Sequence, residues 1–577
     1  MNSPLLRQEY GASLTSLLPP SGQGRSRSSS TASEYGAQSR AVSPSPYDNS
    51  LSDKFSLKPN PEDWGASALC MGTPEPDDYL HNPDPKRDLK NDKGGHIFTS
   101  RGIANLGCLF LLVMLMLMLF LVFPVFTHLS KKKPTAQGGF NLGGINATGQ
   151  IPSMPGNRSL IDIDTPKEAY TKASYMNPND NWDLVFSDEF NVDGRSFYPG
   201  DDPYWEAPSL HYWGTNDLEW YDPSQVTTKG GALRIALAKV DPASNHNLTY
   251  RSGMVDTMLG SLLTNAQRNK FCFTGGLIEA SVILPGASNV NGLWPAVWTM
   301  GNLGRAGFGA SLEGLWPYSY DSCDVGTLPN QTYPGTSKPL AATQNGDPDH
   351  GGVLSFLPGQ RLSACTCPDS QTPIKVSQSA QWAPFNAEYK WLNTSDNLKI
   401  YDPDVTVLNS YHGGAYQQTT SGLSLTDQAC YELDSGCYSV YGFEYKPGFD
   451  DGYITWISNG NAVWTITSGG LGPDTETEIS ARLIPQEPMY IIANLGFSLN
   501  FGGIDFDNIQ FPATMMIDYI RVYQPSNAHN IGCDPPDFPT ATYIETYKDA
   551  YTNFNLTGWS FPNYNQTVPK NRLNGGC

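Results

Sequence analysis

The chain has 577 residues, enough for two to four average domains, and a formal net charge of −20 at neutral pH. This acidic balance argues against a nucleic-acid partner and against a basic membrane-surface patch, whereas a neutral or weakly charged polymer stays compatible as a ligand. The composition is uneven along the chain, and only the second half resembles one large folded core.

Residues 1–101 form a polar tail rich in Ser, Pro, Gly and charged residues, including the run Arg25–Thr31. The tail shows no sustained period of 2 or 3.6, and it would bury too little apolar surface to offset its ordering entropy. We predict a disordered cytosolic segment, with a small folded domain as the alternative. Its composition is compatible with phosphorylation and with cytosolic binding partners.

Residues 102–127 are predicted to form a transmembrane helix. From Leu106 to Phe126 the chain is uncharged and almost wholly apolar, which is long enough to cross a bilayer. The alternative is the core of a signal peptide, which we would expect near residue 1 instead of after about a hundred polar residues.

The acceptor sites for N-glycosylation indicate the orientation of this span, because the flanking basic residues show only a slight bias. Every Asn-x-Ser/Thr site follows the span, namely Asn146, Asn157, Asn247, Asn330, Asn393, Asn555 and Asn565. We therefore predict a single-pass type II protein of the endoplasmic reticulum, Golgi or plasma membrane, with its C-terminal part lumenal or extracellular.

Eight of the ten cysteines also follow the span, an even number that suits an oxidising compartment. Cys430 and Cys437 would close a short loop, and we predict that they pair. We expect Cys365 and Cys367 to have separate partners, and the sequence leaves the remaining connectivity open. A zinc site is the alternative, but no His lies at ligand spacing from these cysteines.

The second half of the chain shows short strand-like runs separated by Gly, Pro, Asn and Asp, such as Gly276–Leu284 and Gly452–Ser458. Several runs are apolar on both faces, as expected for inner strands. We predict an all-β sandwich of two antiparallel sheets over residues 181–525. A stem over residues 128–180 precedes it, and a Cys-containing extension over residues 526–577 follows it.

Four motifs in order carry a family resemblance: Trp182–Phe190, Gly292–Trp298, Met489–Gly496 and Asp518–Tyr523. Together they resemble glycoside hydrolase family 16, which implies a concanavalin-like jelly roll acting on β-glucans. Further segments resemble the fungal Skn/Kre-type membrane proteins associated with β-1,6-glucan synthesis, namely Trp316–Asp321, Pro329–Gln331, Leu357–Ser363 and Cys365–Cys367. That group also has a polar tail, one span and a lumenal sandwich, so the resemblance implies a role in cell-wall β-glucan biosynthesis.

The carboxylate motif that such an enzyme needs is absent. A retaining glycosidase uses two carboxyl groups roughly 5 Å apart. The family places them on one strand, in Glu-x-Asp-x-Glu or its bulged form Glu-x-Asp-x-x-Glu. Neither pattern occurs in this chain, and only Pro368–Lys375 stands between Cys367 and Val376, where the resemblance implies that strand. We therefore predict no catalytic residue, and the sequence leaves enzymatic activity open.

The first hypothesis is a glycosidase or transglycosylase whose catalytic strand is present in another transcript or missing through an error in the gene model. The alternative is an inactive membrane-tethered β-glucan-binding or scaffold protein, and a third possibility is a misfolded product, because loss of an inner strand exposes neighbouring strand edges. Other acids have structural explanations: Asp188 and Glu189 are strand neighbours on opposite faces, Glu432 and Asp434 adjoin the predicted disulfide, and Glu279 and Glu313 fit solvated or structural roles.

Some family members bind calcium, but no carboxylate cluster supports a metal here, and we expect no cofactor.

A set of aromatic and amide side chains near the segments that resemble cleft strands is predicted to bind glucan. Flat aromatic rings suit the apolar faces of pyranose rings, and an amide can bond a sugar hydroxyl. Burial in the core is the alternative, above all for Trp298. The predicted binding residues are Trp213, Trp294, Trp298, Trp316, Tyr318 and Asn494.

The predicted topology can be tested with an N-glycan-cleaving enzyme. Because every acceptor site lies after the span, digestion of the protein from its native membrane should increase its electrophoretic mobility. Unchanged mobility would remove the main support for a lumenal C-terminal part.

Overall fold

A computed structural model describes two units of the chain, Met1–Val125 and Phe126–Cys577. The described residues are 100–123, 160–199, 201–258, 271–308, 317–328, 331–340, 362–365 and 374–558, with gaps at 383, 385, 387, 412, 415–416 and 502, and residues 86 and 566. The predicted tail except residues 86, 100 and 101, most of the predicted stem, and Trp316 lie outside these residues.

The first unit contains the helix α1, Ser100–Leu117, which continues as a π-helical turn over Met118–Val122. Its segment Ile103–Leu121 is 19 residues long and apolar enough to cross a membrane. A helix of this length satisfies its own backbone hydrogen bonds, as a membrane-spanning segment must. The predicted span over residues 102–127 therefore coincides with a helix of suitable length and composition.

The described residues of the second unit form twenty strands. They are β1 Thr171–Ala173, β2 Asn181–Asp188, β3 Glu219–Tyr221, β4 Val226–Thr228, β5 Leu233–Lys239, β6 Tyr250–Ser252, β7 Met254–Asp256, β8 Gly276–Ile283, β9 Trp294–Gly301, β10 Leu362–Cys365, β11 Lys375–Gln381, β12 Leu398–Ile400, β13 Thr406–Leu408, β14 Gly413–Gly414, β15 Gln417–Leu425, β16 Ser439–Lys446, β17 Tyr453–Ser458, β18 Asn461–Thr467, β19 Met489–Gly496 and β20 Ala513–Pro525. Two short helices follow, α2 Ala541–Thr546 and α3 Lys548–Thr552.

The strands form two sheets. The first has the order β12-β18-β17-β16-β8-β20-β5-β6-β3, with β1 and β4 paired to members of this sheet and β2 paired to β20. The second has the order β13-β15-β11-β10-β9-β19-β7, with β14 beside β15. All described pairs are antiparallel except β3 with β6. The predicted antiparallel β-sandwich is confirmed.

The main hydrophobic core lies between the two sheets. Alternate residues of β8 and β20 in the first sheet, such as Ile278 and Val522, meet Ile491 and Leu495 of β19 in the second. Each fully buried aliphatic side chain of this kind contributes about 1.5–3 kcal/mol. The intervening β19 residues Tyr490 and Ile492 belong instead to a second cluster on the opposite face of the second sheet.

The last part of the predicted stem over residues 128–180 contacts the sandwich. Strand β1 pairs with β2, and Lys172 Nζ lies 2.5 Å from the buried carboxylate of Glu279. The Ser174 hydroxyl and the Tyr175 N–H donate to Glu444 at 2.7 and 2.6 Å. The buried carboxylates of Glu279 and Glu444 accept hydrogen bonds from this polar segment and fix its position on the sheet. The hydropathy of the segment itself therefore does not predict that it is part of the fold.

The C-terminal extension packs on the second sheet. Cys533 is joined to Cys272, Asn302 Nδ2 donates to the Cys533 carbonyl at 2.6 Å, and the Tyr551 hydroxyl donates to the Leu303 carbonyl at 2.7 Å. Residues of α2 and α3 join the second hydrophobic cluster. The extension therefore covers one part of the sheet's outer face.

We expect the Cys272–Cys533 disulfide to contribute more stability than Cys430–Cys437, because it links residues 261 positions apart and the latter only 7 apart. Thermal unfolding of the full chain should show a loss of about 4–5 kcal/mol for C272S/C533S and about 2 kcal/mol for the control C430S/C437S. Equal losses for the two double variants would contradict this order.

Candidate functional site

The outer face of the second sheet holds most of the described residues that the sequence predicts to bind glucan. Along β9, Trp294, Ala296, Trp298 and Met300 alternate with residues that point to the main core. Asn494 lies on β19 as the Cα partner of Ala296. The segments that resemble cleft strands, in β9 and β19, are therefore neighbours in the sheet.

Trp298 and Asn494 form the buried floor of this face. The Trp298 indole N–H donates to Asn494 Oδ1 at 2.8 Å, and the Asn494 amide donates to the Tyr221 hydroxyl at 3.1 Å. Trp298 is only 6% exposed, so core packing describes its ring better than stacking on a sugar does. Asn494 keeps one N–H and one lone pair beyond these bonds.

Two of the aromatic side chains that the sequence predicts to bind glucan remain accessible, Trp213 and Trp294. Trp213 is 42% exposed and begins the 3₁₀ turn Trp213–Thr215. Trp294 is half-buried, and its ring lies against Gly496, where an added Cβ would come within 2.9 Å of the indole. The absence of a side chain at Gly496 therefore lets this indole lie flat against the sheet.

Tyr318 lies under the C-terminal extension. Its hydroxyl donates to the Pro539 carbonyl at 2.7 Å, and its ring meets that of Phe538 edge to face at 5.1 Å. It is 5% exposed. The described geometry therefore gives Tyr318 a structural role in anchoring the extension.

Strand β10 lies between β9 and β11, and it precedes in sequence the stretch between Cys367 and Val376 in which the resemblance implies the carboxylate strand. In register, Ser363 is the Cα partner of Trp298 and Cys365 that of Ala296, while the same two residues face Ser379 and Ser377 of β11. The four residues of β10 are Leu, Ser, Ala and Cys. The strand beside the floor thus carries no acid.

The other described acids that the sequence singled out have structural partners. Asp188 accepts two hydrogen bonds from the Arg195 guanidinium at 2.7 and 2.8 Å, and Glu189 accepts two from Arg521 at 2.9 and 2.8 Å. Glu279 pairs with Lys172. Carboxylates held in such ion pairs stabilise the fold, which agrees with the structural roles that the sequence suggests for these acids.

Glu432 and Asp434 also bind backbone groups. Glu432 Oε2 accepts from the Thr514 N–H at 2.7 Å, and Asp434 Oδ2 accepts from the Ser288 N–H at 3.0 Å. Cys430 and Cys437 are joined by a disulfide, as predicted. The nearby Asp427 completes a group of possible metal ligands with these two sulfurs, but a disulfide offers no thiolate to a metal.

Sequence reasoning missed two buried acids next to the floor, Asp217 and Glu219. They are 4% and 0% exposed, and the Tyr221 hydroxyl that bonds Asn494 also donates to Asp217 Oδ2 at 3.1 Å. Burial raises the pKa of Asp217 to about 6. Burial and the neighbouring charge of Asp217 raise the pKa of Glu219 well above its usual range. The alternation of residue types in Asp217–Tyr221, which places both acids on the same side of the chain, was the available signal.

Three of the predicted glycosylation sites lie in the described residues. Asn247, Asn393 and Asn555 are all exposed, and Asn247 occupies a turn with φ of 65°. The remaining four, Asn146, Asn157, Asn330 and Asn565, lie outside the described residues. Exposure makes the three described sites sterically accessible to a glycan.

Comparison with known proteins identifies the family. The family model described as "Beta-glucan synthesis-associated protein SKN1/KRE6/Sbg1" matches residues 67–375 and 369–577. The chain is 39% identical over 537 residues to the β-glucan synthesis-associated protein SKN1 of Candida albicans, covering 88% of this chain and 67% of the relative. It is 39% identical over 544 residues to the protein KRE6 of Saccharomyces cerevisiae, covering 88% and 70%.

More distant similarities involve glucanases. A β-glucanase of Rhodothermus marinus is 23% identical over 349 residues, which is 60% of this chain and 86% of the relative. Among solved structures, the catalytic domain of an endo-1,3-β-glucanase (laminarinase) from Thermotoga petrophila is 19% identical and covers 60% of this chain and 100% of its own, with a TM-score of 0.35. The family match and the two fungal relatives show that the chain belongs to the SKN1/KRE6/Sbg1 family of β-glucan synthesis-associated proteins.

Proposed function

We propose that this chain takes part in cell-wall β-glucan synthesis by holding a β-glucan chain, without cleaving it, on the outer face of its second sheet. Membership of the β-glucan synthesis-associated family supports the process. The observation that carries the binding role is strand β10, which fills the position beside Trp298 with four residues that include no carboxylate. A two-carboxylate mechanism lacks its acids there.

The accessible rings give the face its affinity for a glucan. Trp213 and Trp294 present flat apolar surface, and the C–H faces of glucose pack on such rings. Neither ring requires a charged ligand. This agrees with a neutral polymer as the ligand, which is compatible with the acidic net charge of the chain. The β-1,6 linkage, which the family resemblance suggests, is part of the proposal.

The membrane arrangement belongs to the same proposal. The apolar helix α1 would tether the protein as a type II membrane protein of the secretory pathway, with the sandwich in the lumen or outside the cell. Exposure of the acceptor sites Asn247, Asn393 and Asn555 supports a compartment in which glycans are attached. The polar N-terminal tail would then be free to bind cytosolic partners.

A glycosidase or transglycosylase is the second candidate, because the family resemblance places a carboxylate strand between Cys367 and Val376. Sequencing cDNA and genomic DNA across these codons tests it. An insert encoding Glu-x-Asp-x-x-Glu in most transcripts would make this chain a variant of an enzyme. Direct joining in both sequences would leave glucan binding as the function.

Retention of soluble β-1,6-glucan and β-1,3-glucan by the detergent-purified full chain tests the binding role. W213A and W294A should each weaken retention about threefold to tenfold, since a stacked ring contributes about 0.5–1.5 kcal/mol. The matched control is F449A, which truncates an aromatic side chain that is 38% exposed in the loop after β16 of the first sheet. Equal retention by all variants would contradict the assignment of this face.

A further inference from the structure

A pair of buried carboxyl groups lies directly beneath the proposed binding face. Asp217 and Glu219 are two residues apart, on either side of the start of β3, and they lie close enough for the charge of Asp217 to raise the pKa of Glu219. Two ionised carboxylates in contact inside a protein repel each other strongly. The pair therefore needs a proton between its members.

The hydrogen-bond partners show which group carries this proton. Asp217 Oδ1 accepts from the Thr215 hydroxyl at 2.5 Å and Oδ2 from the Tyr221 hydroxyl at 3.1 Å. Glu219 Oε1 accepts from the Phe497 N–H at 3.1 Å, whereas the buried Glu219 Oε2 receives no donor. A proton on Oε2, donated to Asp217, satisfies this oxygen and leaves one negative charge, on Asp217.

The same pair connects the rim of the face with its floor. Thr215, which donates to Asp217, ends the turn that carries the exposed Trp213. Tyr221, the second donor to Asp217, accepts from the Asn494 amide, which in turn accepts from the Trp298 indole. One carboxylate thus fixes an accessible ring and the buried polar floor at once.

We infer that Asp217 and Glu219 share a single proton and act as the positioning residues of the glucan-binding face, holding the Trp213 turn and the Trp298–Asn494 floor in register. This inference rests on the proposed function for its ligand. Neither side chain contacts the glucan in this account. Loss of the shared proton places two negative charges side by side and releases the contacts on either side.

The direction of the pH effect follows from the raised pKa of Glu219. Unfolded glutamate loses its proton near pH 4.5, whereas burial and then the Asp217 charge hold the proton of folded Glu219 to a much higher pH. Its stabilising effect is thus complete below about pH 4.5 and is lost as pH rises through the folded pKa. His211 and Tyr221 are the other titratable groups acting on the pair, and the charge of His211 favours ionised Asp217.

The test compares wild type, E219Q and E219A as detergent-purified full chains. Thermal unfolding and retention of soluble β-1,6-glucan and β-1,3-glucan are both measured from about pH 5 to about pH 10. Glutamine keeps an N–H donor toward Asp217 but cannot ionise. We expect E219A to weaken retention about tenfold or more, E219Q to rescue it, and the alkaline decline of wild type in both measurements to be reduced in E219Q.

E487Q is the matched control. Burial raises the pKa of Glu487 to about 8, and this residue precedes β19 at the end far from Asn494. Its substitution should alter the pH profile of unfolding without altering that of glucan retention. A change in the retention profile of E487Q equal to that of E219Q would overturn the specific role of the pair.

The outcomes separate this inference from the proposed function. An alkaline decline that persists unchanged in E219Q would show that Glu219 does not hold the proton and would overturn the inference. Retention by E219A equal to wild type would overturn the positioning role, and if E219A fails to fold, the E219Q profiles alone decide. If wild type retains no glucan at any pH while E219Q still flattens the unfolding profile, the proposed function and the positioning role fail but the shared proton stands.

Discussion

The architecture depends on the presence of an inner strand, β10, between β9 and β11 of the second sheet. The backbone N–H and C=O groups on the inner edges of β9 and β11 need hydrogen-bond partners, because leaving such groups buried and unpaired costs free energy. In this chain Leu362–Cys365 supplies them by pairing with both strands. The second sheet is therefore continuous although the segment that would carry carboxylates is absent. Architecture and catalytic chemistry are separable at this strand.

The face around that strand is organised for holding a ligand. A buried indole, an amide and a phenol are linked by hydrogen bonds, from Trp298 through Asn494 to Tyr221. The rings of Trp213 and Trp294 remain accessible, while the C-terminal extension covers part of the face and is joined to it through Cys272–Cys533. Rigid polar groups and flat rings of this kind suit a sugar polymer.

The sequence predicts the sandwich well, because short apolar runs and family motifs determine which segments form strands. It also predicts the Cys430–Cys437 bond, since the partners are only seven positions apart. Burial of Trp298 and Tyr318 depends on segments distant in sequence, so the sequence left core packing of Trp298 open as an alternative and gave no signal for the position of Tyr318 under the C-terminal extension. The segment after Leu160 and the acids Asp217 and Glu219 were missed because buried partners elsewhere in the chain, not local pattern, determine their roles.

The most direct test of the central claim is a product analysis. The detergent-purified full chain, as written, is incubated with end-labelled β-1,6-glucan and β-1,3-glucan oligosaccharides, and the length distribution is followed by chromatography. We predict that the oligosaccharides are retained by the protein and recovered at their original lengths. Shorter fragments, or longer products of glycosyl transfer, would contradict the account, because they would require a pair of catalytic carboxyl groups at the face.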